Sequence, residues 1–202
     1  MKVRNLAVLI CSSLFAVAIS GAGAGEPHRA PFAHDDHGHG HPGAYPGGTR
    51  PHGGELVRIV REATRRYQDI NQAKADGYQL LFGCVSGPDD GAMGMHYVNL
   101  GLVADGVLDP TRPEIVIYEP LPNGKRRIVG ADFLIFHDAW HASNQATPEI
   151  MGQLMHLIPS PNRYGLPAFY TLHVWAWKPN PTGAFVNWHA EVSCENYHGE
   201  ES

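Results

Sequence analysis

Phe169–Cys194 reads FYTLHVWAWKPNPTGAFVNWHAEVSC, and its first half decides the kind of fold to expect. From Thr171 to Trp177 the residues alternate. Thr171, His173, Trp175 and Trp177 fall on one side and Leu172, Val174 and Ala176 on the other, the period of two of a β-strand. Both sides are bulky, so this strand is expected inside the domain and not at a wet edge. Asn180-Pro181-Thr182-Gly183 fits a type I turn, with Asn first, Pro second and Gly fourth. The residues after it, up to Cys194, read as a second buried strand. A histidine placed between a threonine and two tryptophans faces either a core or a pocket, and which of the two His173 faces bears on the function of the whole chain.

Working outward, three more strands are expected at His96 to Leu102, Glu114 to Glu119 and Arg127 to Phe136. Pro122-Asn123-Gly124-Lys125 joins the last two, and its Asn-Gly pair favours a tight hairpin turn. Gly83 to Gly94, GCVSGPDDGAMG, reads as a loop. Short helical pieces are expected at His137 to Ala142 and at Pro148 to Leu157. Glu55 to Ala75 is the clearest helix, because Leu56, Ile59, Val60, Ala63, Tyr67, Ile70 and Ala73 follow one buried stripe. Gly77 is its stop signal. One long helix followed mostly by strands predicts an α+β fold, the helix packed on a mainly antiparallel, strongly bent or barrel-like sheet. Residues 55–202 would form that single domain.

Residues 1–24 read as a secretory signal peptide: Lys2 and Arg4, then an apolar run from Leu6 to Ile19, then Ala22-Gly23-Ala24. The run is too short for a confident membrane span, which predicts an exported, periplasmic or extracellular protein. Losing Lys2 and Arg4 moves the formal charge from -5 to -7. Such a surface argues against nucleic acid or anionic membrane as partner and leaves a metal ion or small molecule. Cys84 and Cys194 remain. In an oxidising compartment an even pair reads as a disulfide, with thiolate metal ligation as the rival. Residues 25–54 are rich in Gly, Pro and His and read as a disordered arm. There His34, His37, His39 and His41 can wrap a borderline divalent ion, since imidazole suits zinc, copper and nickel, or they are a biased linker and nothing more.

ATRRYQDINQAKADGY, GCVSGPDDGAMGMHYVN, PEIVIYEP, VGADF and HVWAWKPNPTGAFVNWHAEVSC together resemble a family of small exported bacterial proteins known as a sequence pattern and not by an activity. The resemblance covers about Ala63 to Cys194, and its Gly94-Met95-His96-Tyr97 and His173-Val174-Trp175-Ala176-Trp177 blocks are its most specific parts. It implies one domain, export and paired cysteines, and supplies no reaction. Asp132 stands where the family pattern has Glu, and His189 where it has Asn before Pro.

His96, Asp132 and His173 are the leading metal ligands, each on a separate expected strand. Asp132 sits within an apolar run, where an unpaired carboxylate would be costly. Two histidines and one carboxylate leave coordination positions open for water or substrate. A two-residue turn at Asn123-Gly124 would pair Glu119 with Ile128 and Ile115 with Asp132. Glu119 and Asp132 would then share a face but stand roughly 13 Å apart at about 3.3 Å per residue. Glu119 is therefore expected nearer the rim, unless a bulge near Pro120 changes the register. His189 is a further candidate ligand, as are His137 and His141, which stand at i and i+4 and would share one helical face. Met95 beside His96 and Met155 beside His156 hint at copper, although neighbours on a strand point to opposite faces. Binding is expected to weaken as pH falls through the histidine range, near 6–7. The sequence thus points to an exported metal-binding protein for a divalent or copper ion, copper or zinc foremost, with the arm as a capture device. A mononuclear metal enzyme with a Trp-lined pocket and a metal-free module with core histidines are the alternatives.

Overall fold

The computed structural model describes residues 52–87 and 89–199, so the expected signal peptide and His34, His37, His39 and His41 lie outside the described residues. The chain runs α1 (His52–Ala63), a 3-10 turn (Arg65–Gln68), α2 (Ile70–Ala75), β1 (Gln79–Ser86), β2 (Ala92–Val98) and α3 (Leu100–Asp105). Then come β3 (Ile115–Pro120), β4 (Arg126–Phe136), α4 (His137–His141), β5 (Glu149–Ile150), β6 (Gln153–Leu154), β7 (His156–Ile158) and β8 (Phe169–Val174). Six strands form one curled, half-barrel antiparallel sheet in the order β1-β2-β3-β4-β8-β7, and β5 and β6 make a separate hairpin. The α+β class and the bent antiparallel sheet agree with the sequence.

The single long helix does not. Thr64 breaks it: its hydroxyl donates to the Val60 carbonyl at 2.7 Å and accepts the Trp177 indole N–H at 2.9 Å. Thr64 is buried and non-helical, and Asp69 then starts α2 by capping Asn71 N at 3.0 Å. A hydroxyl that bonds back to i−4 and to a neighbouring element at once competes with helix propagation. Tyr118 on β3 donates to the Tyr67 carbonyl at 2.7 Å and ties the broken segment to the sheet. Gly77, with φ of 94°, ends the helical segment as expected.

Three further readings need correction. Gly83 to Gly94 is mostly strand, since β1 extends to Ser86 and β2 begins at Ala92. The strand at His96 stops at Val98, because Asn99 caps α3 by accepting from Gly101 N and Leu102 N. Pro148 to Leu157 forms β5, β6 and the start of β7 instead of a helix. Met151 (φ 49°) and Gly152 (φ 79°) make the two-residue hairpin turn between Ile150 and Gln153; two positive φ angles are what such turns require. Met at the first of these positions hid the turn, and Pro148 suggested a helix start.

The β3–β4 hairpin reaches the expected register by two cancelling departures. The turn is one residue longer than read, with Leu121 N donating to the Lys125 carbonyl at 2.8 Å. Glu119 therefore faces Arg127 and not Ile128. Val129 then bulges out between the pairs Tyr118–Ile128 and Ile117–Gly130, and Ile115 faces Asp132 as the sequence predicted. The Val129 carbonyl accepts from Trp177 N and Lys178 N, both at 3.1 Å.

The decisive stretch is a strand only as far as Val174. Ala176 N donates to the Val174 carbonyl at 2.8 Å, a three-residue turn that ends the alternation and sends Trp177 away from His173. Asn180–Gly183 forms the expected turn, closed by Gly183 N on the Asn180 carbonyl at 3.1 Å. The following residues are no strand. Side chains of Trp175 and Asn180 bond the Val186 and Trp188 carbonyls at 2.7 and 2.8 Å, which takes the acceptors a ladder would use. This segment covers one face of the sheet. It is held by a single bridge, Ala92–His189, and by the Cys84–Cys194 disulfide, which settles the cysteines against thiolate ligation.

Both faces of the central strands are buried. Ala131, Phe133, Ile135, Leu172 and Val174 pack with Leu56 and Val60 of α1 on one side. Ile115, Ile117, Leu134, Phe169 and Trp175 form the other. Burial of each large side chain stabilises the fold by about 1.5–3 kcal/mol, and it is the second face that carries the polar cluster.

Candidate metal centre

His173 lies directly opposite Asp132 in the β4–β8 pairing, and His96 lies across β3, opposite Ile117. All three point to the covered face. Their donor atoms fall within 4.8 Å of one another, and all three residues are buried. They form the sole group of three or more His, Cys, Asp or Glu with that geometry among the described residues. Asp132 Oδ1 stands 3.6 Å from His173 Nδ1, and the two imidazole rings meet edge to face at 5.8 Å.

Each donor is prepared in a particular way. His96 Nδ1 is 3.0 Å from the Gly94 carbonyl. A carbonyl only accepts, so Nδ1 carries the proton and Nε2 keeps a lone pair for an ion, the arrangement usual for ligating histidines. Asp132 Oδ1 accepts from the Thr171 hydroxyl at 2.6 Å and from Leu172 N at 3.1 Å. These bonds orient the carboxylate, which lines the cavity. His173 has neither ring nitrogen in a hydrogen bond, although both are buried. The Asn187 side chain stands at the margin of hydrogen-bond reach of the ring, close enough to favour its charged form slightly but too poorly aligned for a well-formed bond, and Asn187 Oδ1 has no other partner. Bare polar atoms in an apolar interior are costly, and a bound ion would remove that cost.

The three groups line a cavity of about 30 Å³, enough to hold a water-sized ligand. Thr171 and Asn187 are the other polar liners, and Phe82, Tyr164 and Phe169 supply its aromatic wall. No tryptophan lines it, so the Trp-lined pocket is not what forms. Trp175 instead stacks on the His173 ring at 5.8 Å. Thr171 escaped the sequence reading, though it sits two residues before His173 on the same strand face. Asn187 left no local signal.

The remaining candidates do not join the site. Glu119 pairs with Arg127 at 2.5 Å and Lys178 at 3.0 Å, tying β3 to the covering segment. Burial pushes its carboxyl up, but the two cations outweigh this and hold it below the usual range. His189 accepts from Glu191 N on Nδ1, so its proton is on Nε2, which is buried without a hydrogen-bond partner, and the ring meets Trp175 edge to face at 4.9 Å, outside the three-residue group. His137 and His141 do share a face of α4, their rings 4.5 Å apart. However, both nitrogens of His141 are taken, by the Asn144 carbonyl and the Tyr170 hydroxyl, and His137 Nδ1 bonds Asp138. No second clip is formed there.

Burial pushes His96 down to about 4, with neighbouring His173 adding to the shift. It pushes His173 down to about 3. Burial pushes Asp132 up to about 6, against the lowering effect of the Thr171 hydroxyl. Glu114 before β3, Tyr164 and His156 on β7 are the other titratable groups coupled to Asp132. The sign follows. Both imidazoles are already neutral at pH 6, so the proton that competes with an ion is the carboxyl's. Affinity should be flat above pH 6 and fall about tenfold per pH unit below it, steepening as the histidines charge near pH 4. Metal competition at fixed pH steps measures this; a loss that begins well above pH 6 with a slope of two protons would assign it to the imidazoles, as the sequence alone suggested.

No helix of the described residues is long and apolar enough to cross a membrane. No family model matches the chain, and no curated protein or solved structure matches it either.

Proposed function

We propose that this chain is an exported metal-binding protein whose folded part holds one divalent or copper ion between His96, Asp132 and His173. The observation that carries this reading is His173: a buried imidazole with no well-formed hydrogen bond at either nitrogen, 3.6 Å from a buried carboxylate and beside a second imidazole. His189, outside the group, also has one bare nitrogen, but only His173 lacks a well-formed bond at both nitrogens and stands among further donors. Imidazole and carboxylate suit copper and zinc alike. The Cys84–Cys194 disulfide supports export, since such bonds persist in oxidising compartments. The signal-like residues 1–24 and the resemblance to exported proteins point the same way. The histidine-rich arm gathers ions weakly and passes them to the buried site.

A second reading has one observation in its favour. The cavity leaves room for a water-sized ligand beside three donors, and an open position is the mark of a catalytic centre. It would restrict an enzyme to a very small substrate.

Metal titration of the mature chain against a competing chelator tests the main reading. One tight equivalent per chain is expected, along with weaker equivalents that vanish when residues 25–51 are deleted. A chain that retains no tight equivalent overturns it.

A further inference from the structure

Met93 is a cavity-lining side chain whose place there owes nothing to strand alternation. In the β1–β2 pairing Val85 faces Gly94 and Ser86 faces Ala92, so Met93 is bulged out and unpaired. Gly94 permits this, with φ of +95° and a backbone so close that a Cβ would lie 2.7 Å from the Tyr118 carbonyl. Bulges re-aim side chains. This one brings Met93 to the side of His96, where it lines the cavity with His96, Asp132 and His173. Met95, which stands next to His96 in sequence, points to the opposite core with Tyr97 and Tyr118. Met93 is buried, and its Sδ accepts from the Tyr164 hydroxyl at 3.5 Å. That bond orients the thioether and leaves its second lone pair free.

We propose that Met93 is the fourth donor of the centre and selects copper in its reduced state. The proposal rests on the three-residue site above and goes further by naming the ion. Beside the one hard donor, the Asp132 carboxylate, two neutral imidazoles and a thioether make a mainly soft set that suits Cu(I), whereas zinc takes thiolate, imidazole or carboxylate and gains nothing from a thioether. Met93 thus determines specificity: it adds affinity for Cu(I) and none for Zn(II).

The test compares the mature full-length protein with its Met93→Leu variant, a swap that conserves volume. Each is titrated with Cu(I) and with Zn(II) against chelators, and X-ray absorption is recorded at the copper edge. The expected result is a loss of Cu(I) affinity on the order of 10–100-fold with Zn(II) affinity unchanged. A sulfur scatterer at about 2.3 Å should appear in the wild-type copper spectrum, near the metal–sulfur distances of known sites. The absence of sulfur in that wild-type spectrum overturns the proposal whether or not the variant folds. Equal losses for both metals overturn it too, since they would mark a packing residue. Tight Zn(II) binding with no copper–sulfur contact defeats this proposal alone, while a wild-type protein that binds neither ion tightly defeats the three-residue site as well.

Discussion

The His173→Ala variant is expected to lose tight metal binding by more than about 100-fold, the upper end of losses when only an outer partner of a ligand is removed. The weak uptake proposed for the arm should survive, since none of its histidines belongs to the buried group. The companion variant His173→Leu separates function from packing. In the metal-free protein His173 buries two nitrogens without a well-formed hydrogen bond against Trp175 and the carboxylate of Asp132. Replacing an unsatisfied polar group by an apolar one of similar size is near neutral or stabilising. With chelator present, His173→Leu should therefore unfold at a temperature no lower than the wild type while binding no ion tightly. A loss of several kcal/mol in the metal-free state would mean that His173 makes a core hydrogen bond and is no ligand.

Breaking the Cys84–Cys194 bond should have the largest effect on stability. The residues it joins are 110 apart, and the chain-entropy model values such a loop at about 4–5 kcal/mol. For a chain of this size that lowers the midpoint of thermal unfolding by roughly 8–20 °C. The physical content is local as well. The bond pins the irregular cover, residues 184–194, onto β1, and that cover supplies Asn187 to the cavity wall. Lys178 donates to Glu119 and to the Glu191 carbonyl, and Ser193 N also reaches Glu119, but these partly exposed contacts are weaker tethers. Thermal scans of oxidised and reduced protein decide it. A shift of about 2 °C or less would show that the unfolded chain is not held by this link.

The site residues were legible because each breaks a pattern. Asp132 is a carboxylate inside an apolar strand, His173 shares a strand face with an indole, and His96 follows glycines that admit close backbones. Their convergence was legible only through the hairpin register, and Ile115 meets Asp132 because the longer turn at Leu121–Lys125 and the bulge at Val129 cancel. Neither departure has a signature in the residues concerned. The helix from Glu55 to Ala75 failed at Thr64 for a tertiary reason: its hydroxyl bonds an indole that is distant in sequence. The helix expected at Pro148 to Leu157 failed because Met151 takes a backbone conformation that a sequence reading reserves for Gly or Asn. Met93 was passed over because Gly83 to Gly94 reads as a loop, where no alternation assigns a face, and the bulge that turns it toward the side of His96 has no signature in the sequence. Glu119, His189, His137 and His141 were fair candidates by residue type, and each has found a protein partner instead.

The most direct measurement is a crystal structure of the metal-loaded mature protein with anomalous scattering recorded at the edge of the bound metal. The account predicts one strong peak inside the sheet, about 2.0–2.2 Å from a nitrogen of His96, a nitrogen of His173 and an oxygen of Asp132. A cavity without a peak, in crystals whose ordered metal lies only at surface histidines, would contradict it.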